Sequence, residues 1–211
     1  MKYFLDTEFI EGFHKPIFGK RRHFIDLISI GIVCEDGREY YAISTEFNPK
    51  DADDWVRKNV ISGLPDRNVG FYDSPRRKQE SLLWKSNAQI VNDILAFVYP
   101  DIFKNFKTVE KEFYQRSKEY GWNTEQPKLY AYYADYDWVL FCSLFGRMID
   151  LPKGFPMYCR DLKQRFDEEF TEDIKKDQRY PSQKDEHNAL DDARWNKKLH
   201  AFMEKYLDEK I

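Results

Sequence analysis

The sequence predicts an α/β domain with a mixed sheet flanked by helices. Segments typical of strands come first, and helical segments then alternate with further strands. The chain has 211 residues, 42% hydrophobic and 34% charged, which is enough to bury the core of one domain. We therefore predict a single domain over residues 1–211, with lengthened segments near 65–85 and 100–127.

The first three strands follow from β-branched and apolar runs. Residues 2–5 form an apolar run that ends in the polar segment at 6–9, so we predict a buried strand with carboxylates at its end. Residues 23–34 and 38–47 are rich in residues that favour strands. The turn between them is short enough for an antiparallel hairpin.

The remaining elements follow from helical spacing and turn signals. Residues 65–80 are polar and turn-rich, which predicts a surface loop. Two further strands are expected at 128–133 and 157–160. The predicted helices cover residues 51–61, 86–99, 101–121, 136–146, 161–170 and 189–208.

Composition excludes several classes of protein. No run approaches 18 apolar residues and no signal peptide is apparent, so neither a membrane partner nor secretion is expected. Three scattered cysteines indicate a reducing cytoplasm. The net charge of −3 argues against a broad basic DNA-coating surface and leaves room for a local nucleic-acid site.

Asp6 and Glu8 are the first candidate functional residues. Because they lie two apart on a strand, their side chains point to the same face. A pair of carboxylates at the end of an apolar strand repels itself, and a divalent cation relieves that repulsion. The alternative is a solvated strand end.

Asp137 lies in a predicted helix that is apolar around nearly its whole circumference, which indicates burial. A buried carboxylate is costly unless it is paired or bound to metal. The alternative is a carboxylate near the helix N-terminus, favoured by the helix dipole. Asp135 has a simpler explanation as the helix N-cap.

Asp192 lies in the middle of the apolar arc of the last helix, so it must face the interior. Asn188 is the expected N-cap, which places His187 on the preceding loop. Asp191 lies about 100° away, where an ion pair with Lys198 explains it. His187 alone suits a surface loop, but beside an inward-facing Asp192 it suggests proton transfer. Buried carboxylates beside a histidine favour phosphodiester hydrolysis with two metal ions, and oxygen ligands favour Mg²⁺ or Mn²⁺.

Three motifs occur in order: DTEF, YDWVLF and HNALDDA. Together they resemble the exonuclease motifs of the DEDDh superfamily, which are ribonuclease H-like 3′–5′ exonucleases. The first 60 or so residues are similar to the bacterial polyadenylate-specific exoribonuclease family, RNase AS. The similar segments are KYFLDTEFIEG, DLISIGIV, EDGREYYAISTEF and DWVRKNVISGLP. The likeness is nearly end to end and is weaker at 65–85 and 100–127.

This resemblance implies a ribonuclease H-like fold and water attack on the last phosphodiester of single-stranded RNA. The products would be nucleoside 5′-monophosphates, with 3′ poly(A) tails as one expected substrate. A homodimer is expected by analogy. The resemblance assigns the metal ligands of two Mg²⁺ or Mn²⁺ ions and the general base as follows: Asp6, Glu8, Asp137 and Asp192 as ligands, and His187 as the base.

Substrate contacts are less well defined. Phe9 is a candidate wall for the terminal nucleotide or an ordinary core residue, and Trp138 is a weaker stacking candidate. Two basic clusters, Arg21-Arg22 and Arg76-Arg77-Lys78, either guide the phosphate backbone or are simply solvated.

Two other functions stay open at this point. A DNA 3′–5′ exonuclease is one, because the motifs describe the chemistry and not the sugar. A non-catalytic nucleic-acid-binding module of the same fold is the other, although all five motif positions are present.

Overall fold

The computed structural model describes residues 1–14, 18–70, 72–103, 125–183 and 187–209. A six-stranded mixed sheet in the order β4-β3-β2-β1-β5-β6 forms its centre. β1 pairs antiparallel with β2, and β2 pairs antiparallel with β3. The other three pairs are parallel: β4 with β3, β5 with β1, and β6 with β5. The strands are β1 (Lys2–His14), β2 (Arg22–Cys34), β3 (Glu39–Ser44), β4 (Trp84–Lys85), β5 (Lys128–Ala131) and β6 (Arg160–Asp161).

Helices cover both faces of this sheet. They are α1 (Asp54–Asn59), α2 (Pro75–Ser81), α3 (Asn87–Val98), α4 (Pro100–Phe103), α5 (Ala134–Phe145), α6 (Leu162–Glu169) and α7 (Ala189–Asp208). The predicted α/β class and mixed sheet are confirmed, and the arrangement is consistent with a ribonuclease H-like fold. None of the helices described is long and apolar enough to cross a membrane.

Alternation along β1 separates the core into layers. Tyr3 and Leu5 pack into one cluster with residues of α3 and α5, whereas Phe4 packs on the opposite face with residues of α6 and α7. Successive strand side chains point to opposite faces, so both faces of β1 are covered. The part of β1 that directly precedes the carboxylates is therefore buried on both faces.

β1 is longer than the sequence indicated. It does not end after the apolar run but continues through Asp6 and Glu8 to His14. Beyond Glu8, the described ladder pairs β1 with β2 and with no third strand. Residues 9–14 and 22–27 thus form a two-stranded ribbon, and together with residues 18–21 we call them the arm.

The ladder between these two strands contains a bulge. Glu8 pairs with Ser29 and Phe9 pairs with Leu27, which leaves Ile28 as an extra residue of β2. A bulge increases local twist and is common beside active sites. It marks the point at which the sheet ends and the arm begins.

Other sequence predictions need correction. Residues 65–80 are not simply a loop, because Ser74 caps α2 through Arg77 N, and β4 follows that helix. The predicted helix at 101–121 lies mostly outside the described residues. The N-cap position of α5 is Tyr133, in a left-handed conformation, and not Asp135. That helix is also not buried all round as its apolar pattern predicted, since Val139 is 53% exposed.

Candidate active site

Three carboxylates meet at the middle of the sheet. Asp6 and Glu8 project from the same face of β1, and Asp192 projects from the first turns of α7 towards them. One oxygen atom from each lies within 4.8 Å of the others. The predictions that the two strand carboxylates share a face and that Asp192 points inward are both confirmed.

The position of α7 is fixed by contacts with the central strands. Asn196 Nδ2 donates a hydrogen bond to the Leu5 carbonyl oxygen at 3.0 Å, one residue before Asp6. Asn188 caps the helix by accepting bonds from Leu190 N and Asp191 N, as the sequence predicted. The Asn196 bond sets the distance between the helix and the strand that carries the acids, and the Asn188 cap fixes where the helix begins.

Gly31 of β2 allows the first turn of α7 to approach closely. It pairs with Asp6 in the ladder, and a Cβ atom at this position would lie 2.2 Å from the Ala189 carbonyl oxygen and 2.5 Å from Leu190 Cα. Both of these are backbone atoms, so the clash is not relieved by moving a side chain. The glycine therefore brings Asp192 within reach of Asp6.

We expect Gly31→Ala to destabilise the fold by about 1–3 kcal/mol, since the helix must shift to accept a methyl group. Urea denaturation should show the lower midpoint, and metal affinity should fall with it. The matched control is Gly63→Ala, a position at which a Cβ meets nothing within 4 Å. An unchanged midpoint in Gly31→Ala would contradict the role assigned to this contact.

Asp137, on α5, is not one of the three acids whose oxygens meet within 4.8 Å, but it lies near enough for its charge to act on Asp6 and Glu8. Its Oδ1 accepts two hydrogen bonds from Thr7, one from the backbone N–H at 2.8 Å and one from Oγ1 at 2.6 Å. The side chain is 5% exposed. Thr7, between Asp6 and Glu8, thus holds the fourth carboxylate in place from the opposite face of the strand.

Asp192 is held by groups on the preceding segment. Its Oδ1 accepts from Gln183 Nε2 at 2.6 Å, and its Oδ2 accepts from His187 N at 3.1 Å. Asp191 forms an ion pair with Arg194 at 2.6 Å and not with Lys198. Of the two neighbouring aspartates, only Asp192 belongs to the acidic centre.

Burial and mutual repulsion act on these acids in the same direction. Burial raises the pKa of Asp6 well above its usual value, and the charges of Asp137, Asp192 and Glu8 raise it further. For Glu8, burial and then the charges of Asp192 and Asp137 raise the pKa to about 8. The pKa of Asp137 is also raised by burial, and the two bonds from Thr7 oppose this. The site thus concentrates negative charge that a cation would stabilise.

His187 adjoins this centre on the loop before α7. Its backbone has φ of 73°, a left-handed conformation that is uncommon for a side chain of this size. The imidazole contacts the ring of Trp55 edge-on, with centroids 4.7 Å apart at 80°. The imidazole therefore lies on the α1 side of the loop, while its backbone N–H bonds Asp192.

The two candidate substrate contacts differ in their surroundings. The ring of Phe9 stacks on Tyr136, with centroids 5.3 Å apart at 8°, and is partly buried against the core. Trp138 stacks on Phe141 at 5.4 Å and lines a cleft of about 630 Å³ between α5 and α6. Its Nε1 is buried and has no hydrogen-bond partner within the described part of the chain.

Sequence reasoning missed several residues that build the site. Thr7 and Gln183 are ordinary polar residues whose partners lie 130 and 9 positions away. The role of Gly31 could have been predicted, because a glycine inside a strand often marks a close backbone approach. The role of Trp55 could not, since its contact with His187 depends on how α1 packs.

The donor set fits a hard divalent cation. Carboxylate oxygens are the ligands that Mg²⁺ and Mn²⁺ prefer, and the three oxygens of Asp6, Glu8 and Asp192 are close enough to share an ion. Such a carboxylate centre at the central strand of a ribonuclease H-like sheet is typical of nucleases, which are hydrolases.

Comparisons with known proteins agree with this class. Residues 1–203 match the family described as "3'-5' exoribonuclease Rv2179c-like domain". Two curated relatives from Mycobacterium tuberculosis are each 37% identical over 194 residues, covering 92% of this chain and 88% of the relative. They are 3'-5' exoribonuclease Rv2179c of strain ATCC 25618 / H37Rv and 3'-5' exoribonuclease MT2234.1 of strain CDC 1551 / Oshkosh. The chain belongs to this Rv2179c-like 3′–5′ exoribonuclease family of hydrolases.

Proposed function

We propose that this protein is a metal-dependent 3′–5′ exoribonuclease of the DEDDh type. It releases nucleoside 5′-monophosphates from the 3′ end of single-stranded RNA. The observation that carries the proposal is the meeting of three carboxylate oxygens within 4.8 Å at a half-buried point of the central strand. Family membership over residues 1–203 supports RNA as the substrate.

The four acids are the proposed ligands of two Mg²⁺ or Mn²⁺ ions: Asp6, Glu8, Asp137 and Asp192. When bound, the two ions supply activation of the attacking water and charge neutralisation at the leaving oxygen. The protein's own contribution is to hold the acids in position before substrate arrives. Thr7 fixes Asp137 through two hydrogen bonds, and Gln183 fixes Asp192 through one.

His187 is the proposed general base. Its ring nitrogen accepts the proton of the attacking water, which a neutral imidazole does well near neutral pH. The backbone bond to Asp192 keeps the residue beside the acids, and the edge contact with Trp55 sets where the ring rests in the substrate-free chain.

Substrate contacts are assigned to Phe9 and Trp138. Phe9 directly follows Glu8, so its ring with that of Tyr136 forms an aromatic surface beside the acids. Trp138 follows Asp137 and faces the cleft between α5 and α6. By analogy with RNase AS, the proposal includes a preference for poly(A) and assembly as a homodimer. The cysteine usage adds a cytoplasmic location.

The test is a time course on 5′-labelled single-stranded RNA with Mg²⁺, with Mn²⁺ and with EDTA. We expect a ladder that shortens from the 3′ end, requires metal and yields 5′-monophosphates. Parallel reactions on poly(A), poly(U) and DNA of equal length measure base and sugar preference. Faster hydrolysis of DNA would favour the DNA exonuclease, and RNA binding without hydrolysis under either metal would favour the binding module.

A further inference from the structure

The arm, residues 9–14 and 18–27, concentrates positive charge and exposed aromatic rings. Phe18 is 91% exposed and Phe13 is 57% exposed. Lys20, Arg21 and Arg22 follow on its second side and are all exposed. A run of three cations occurs also at 76–78, so the arm differs from that cluster in its exposed rings and in what its arginines contact.

The two arginines of the arm differ from the other arginines that the structure describes. Each of those either pairs with a carboxylate or lies over an aromatic ring. Arg76 and Arg77 of the second basic cluster, for example, pair with Glu80 and with Asp66 and Asp73. Arg21 and Arg22 have no such partner among the described residues, so their charges are available to a ligand.

The arm is also fixed in direction relative to the acidic centre. Glu11 Oε1 accepts a hydrogen bond from Tyr136 Oη at 3.2 Å and lies 2.7 Å from His23 Nε2. Tyr136 immediately precedes Asp137. The rings of Phe13 and His23 meet edge-on at 5.5 Å, so aromatic groups continue from the acidic centre out along one face of the arm.

We propose that the arm binds the RNA strand upstream of its 3′ end and guides it to the acidic centre of the same chain. Phe13 and Phe18 stack on bases, and Arg21 and Arg22 contact phosphates. Aromatic stacking combined with a basic track is how single strands are bound without sequence preference. At ~3.3 Å per strand residue, Phe13 lies about 17 Å from Glu8, so only RNA longer than a dinucleotide reaches the arm.

This inference rests on the proposed function, because it takes RNA as the ligand. The first experiment measures binding of a 5′-labelled 12-nucleotide RNA by fluorescence anisotropy in EDTA, where no hydrolysis intervenes. Arg21→Gln/Arg22→Gln should weaken binding about tenfold and reduce the slope of log Kd against log salt by about 1.4, at ~0.7 per phosphate contact. Phe13→Ala/Phe18→Ala should weaken binding at least about fivefold with little change in that slope.

The matched control is Arg179→Gln/Lys176→Gln, which removes two exposed charges that are already paired with carboxylates. It changes net charge equally, so we expect no change in Kd. An equal loss in the control, or unchanged binding in both arm variants, would overturn the proposal. A lower molar mass of the arm variants in sedimentation would overturn it as well, because the arm would then be a contact between protein chains.

Hydrolysis gives the second readout. With metal, the ratio of kcat/KM on the 12-nucleotide RNA to kcat/KM on a dinucleotide should fall about tenfold in Arg21→Gln/Arg22→Gln. If the wild-type protein binds the longer RNA through the arm but hydrolyses neither substrate, the proposed function is contradicted and the role of the arm in RNA binding still holds. A ratio equal to that of the wild type would count against the arm.

Discussion

Asp6→Asn is expected to abolish hydrolysis while the fold survives. Asp6 is the acid on which burial and all three neighbouring carboxylates act, so the substitution removes the proposed metal ligand at the centre of the cluster. Metal ions supply several kcal/mol of transition-state stabilisation in such sites, and each 1.4 kcal/mol is tenfold in rate. We therefore expect kcat to fall by at least about 10³-fold on labelled RNA.

The same substitution should stabilise the protein in the absence of metal. Replacing a buried charge by an amide of equal size relieves both desolvation and repulsion. A gain on the order of 1 kcal/mol would raise the melting temperature by about 2–4 °C for a chain of this size. Added Mg²⁺ should then raise the melting temperature of the wild type more than that of the variant, because a ligand stabilises only the state that binds it.

Asp135→Asn is the matched control for this experiment. It removes a carboxylate two residues before Asp137 on the same helix, but from an exposed position outside the cluster of acids. We expect no loss of metal affinity and no gain in the metal-free melting temperature, because an exposed carboxylate in the first turn of a helix is favoured by the helix dipole. Unfolding of Asp6→Asn in EDTA would mean that this carboxylate stabilises the fold, and the metal-site assignment would fail.

His187→Ala is expected to lower kcat by roughly 10²–10⁴-fold, the usual contribution of a positioned general base. The backbone N–H that bonds Asp192 remains in this variant, so metal affinity should stay close to that of the wild type. Single-turnover hydrolysis of labelled RNA at saturating metal measures this loss of rate.

Metal titration by calorimetry separates this role from two others. A large loss of metal affinity in His187→Ala would make the imidazole a ligand and not a base. Trp55→Phe keeps an aromatic ring beside the imidazole, and we expect its rate to stay within a few-fold of the wild type. Full activity in His187→Ala would exclude the histidine from the reaction.

Local patterns were sufficient to predict most of the elements. β-branched runs located β2 and β3, and helical spacing with caps such as Asn188 located α7 within a residue of its observed bounds. The inward direction of Asp192 followed from the period of the helix alone. These features depend on neighbours within a few positions, which is the range over which sequence periodicity carries information.

Contacts between distant segments were beyond such patterns. The apolar run at 2–5 gave no sign that β1 extends to His14, because its outer half is held by pairing with β2 and not by its own hydrophobicity. The short strand β4 forms only because β3 offers it an open edge. Asp135 was assigned as a cap on sequence grounds, whereas the chain turns into α5 at Tyr133, where Ala134 N bonds Asp161 of β6.

The sequence by itself determined which residues we propose to carry the chemistry, because Asp6, Glu8, Asp137, Asp192 and His187 stand in three short motifs whose residue types and spacing can be read along the chain. The tertiary structure decided how those residues are held. The bonds from Thr7 to Asp137 and the approach of α7 over Gly31 join segments more than 100 positions apart. The direction of the arm was decided in the same way, through Glu11 and Tyr136. Such contacts arise only when the chain closes around its core, because packing and not local propensity brings their atoms within bonding distance.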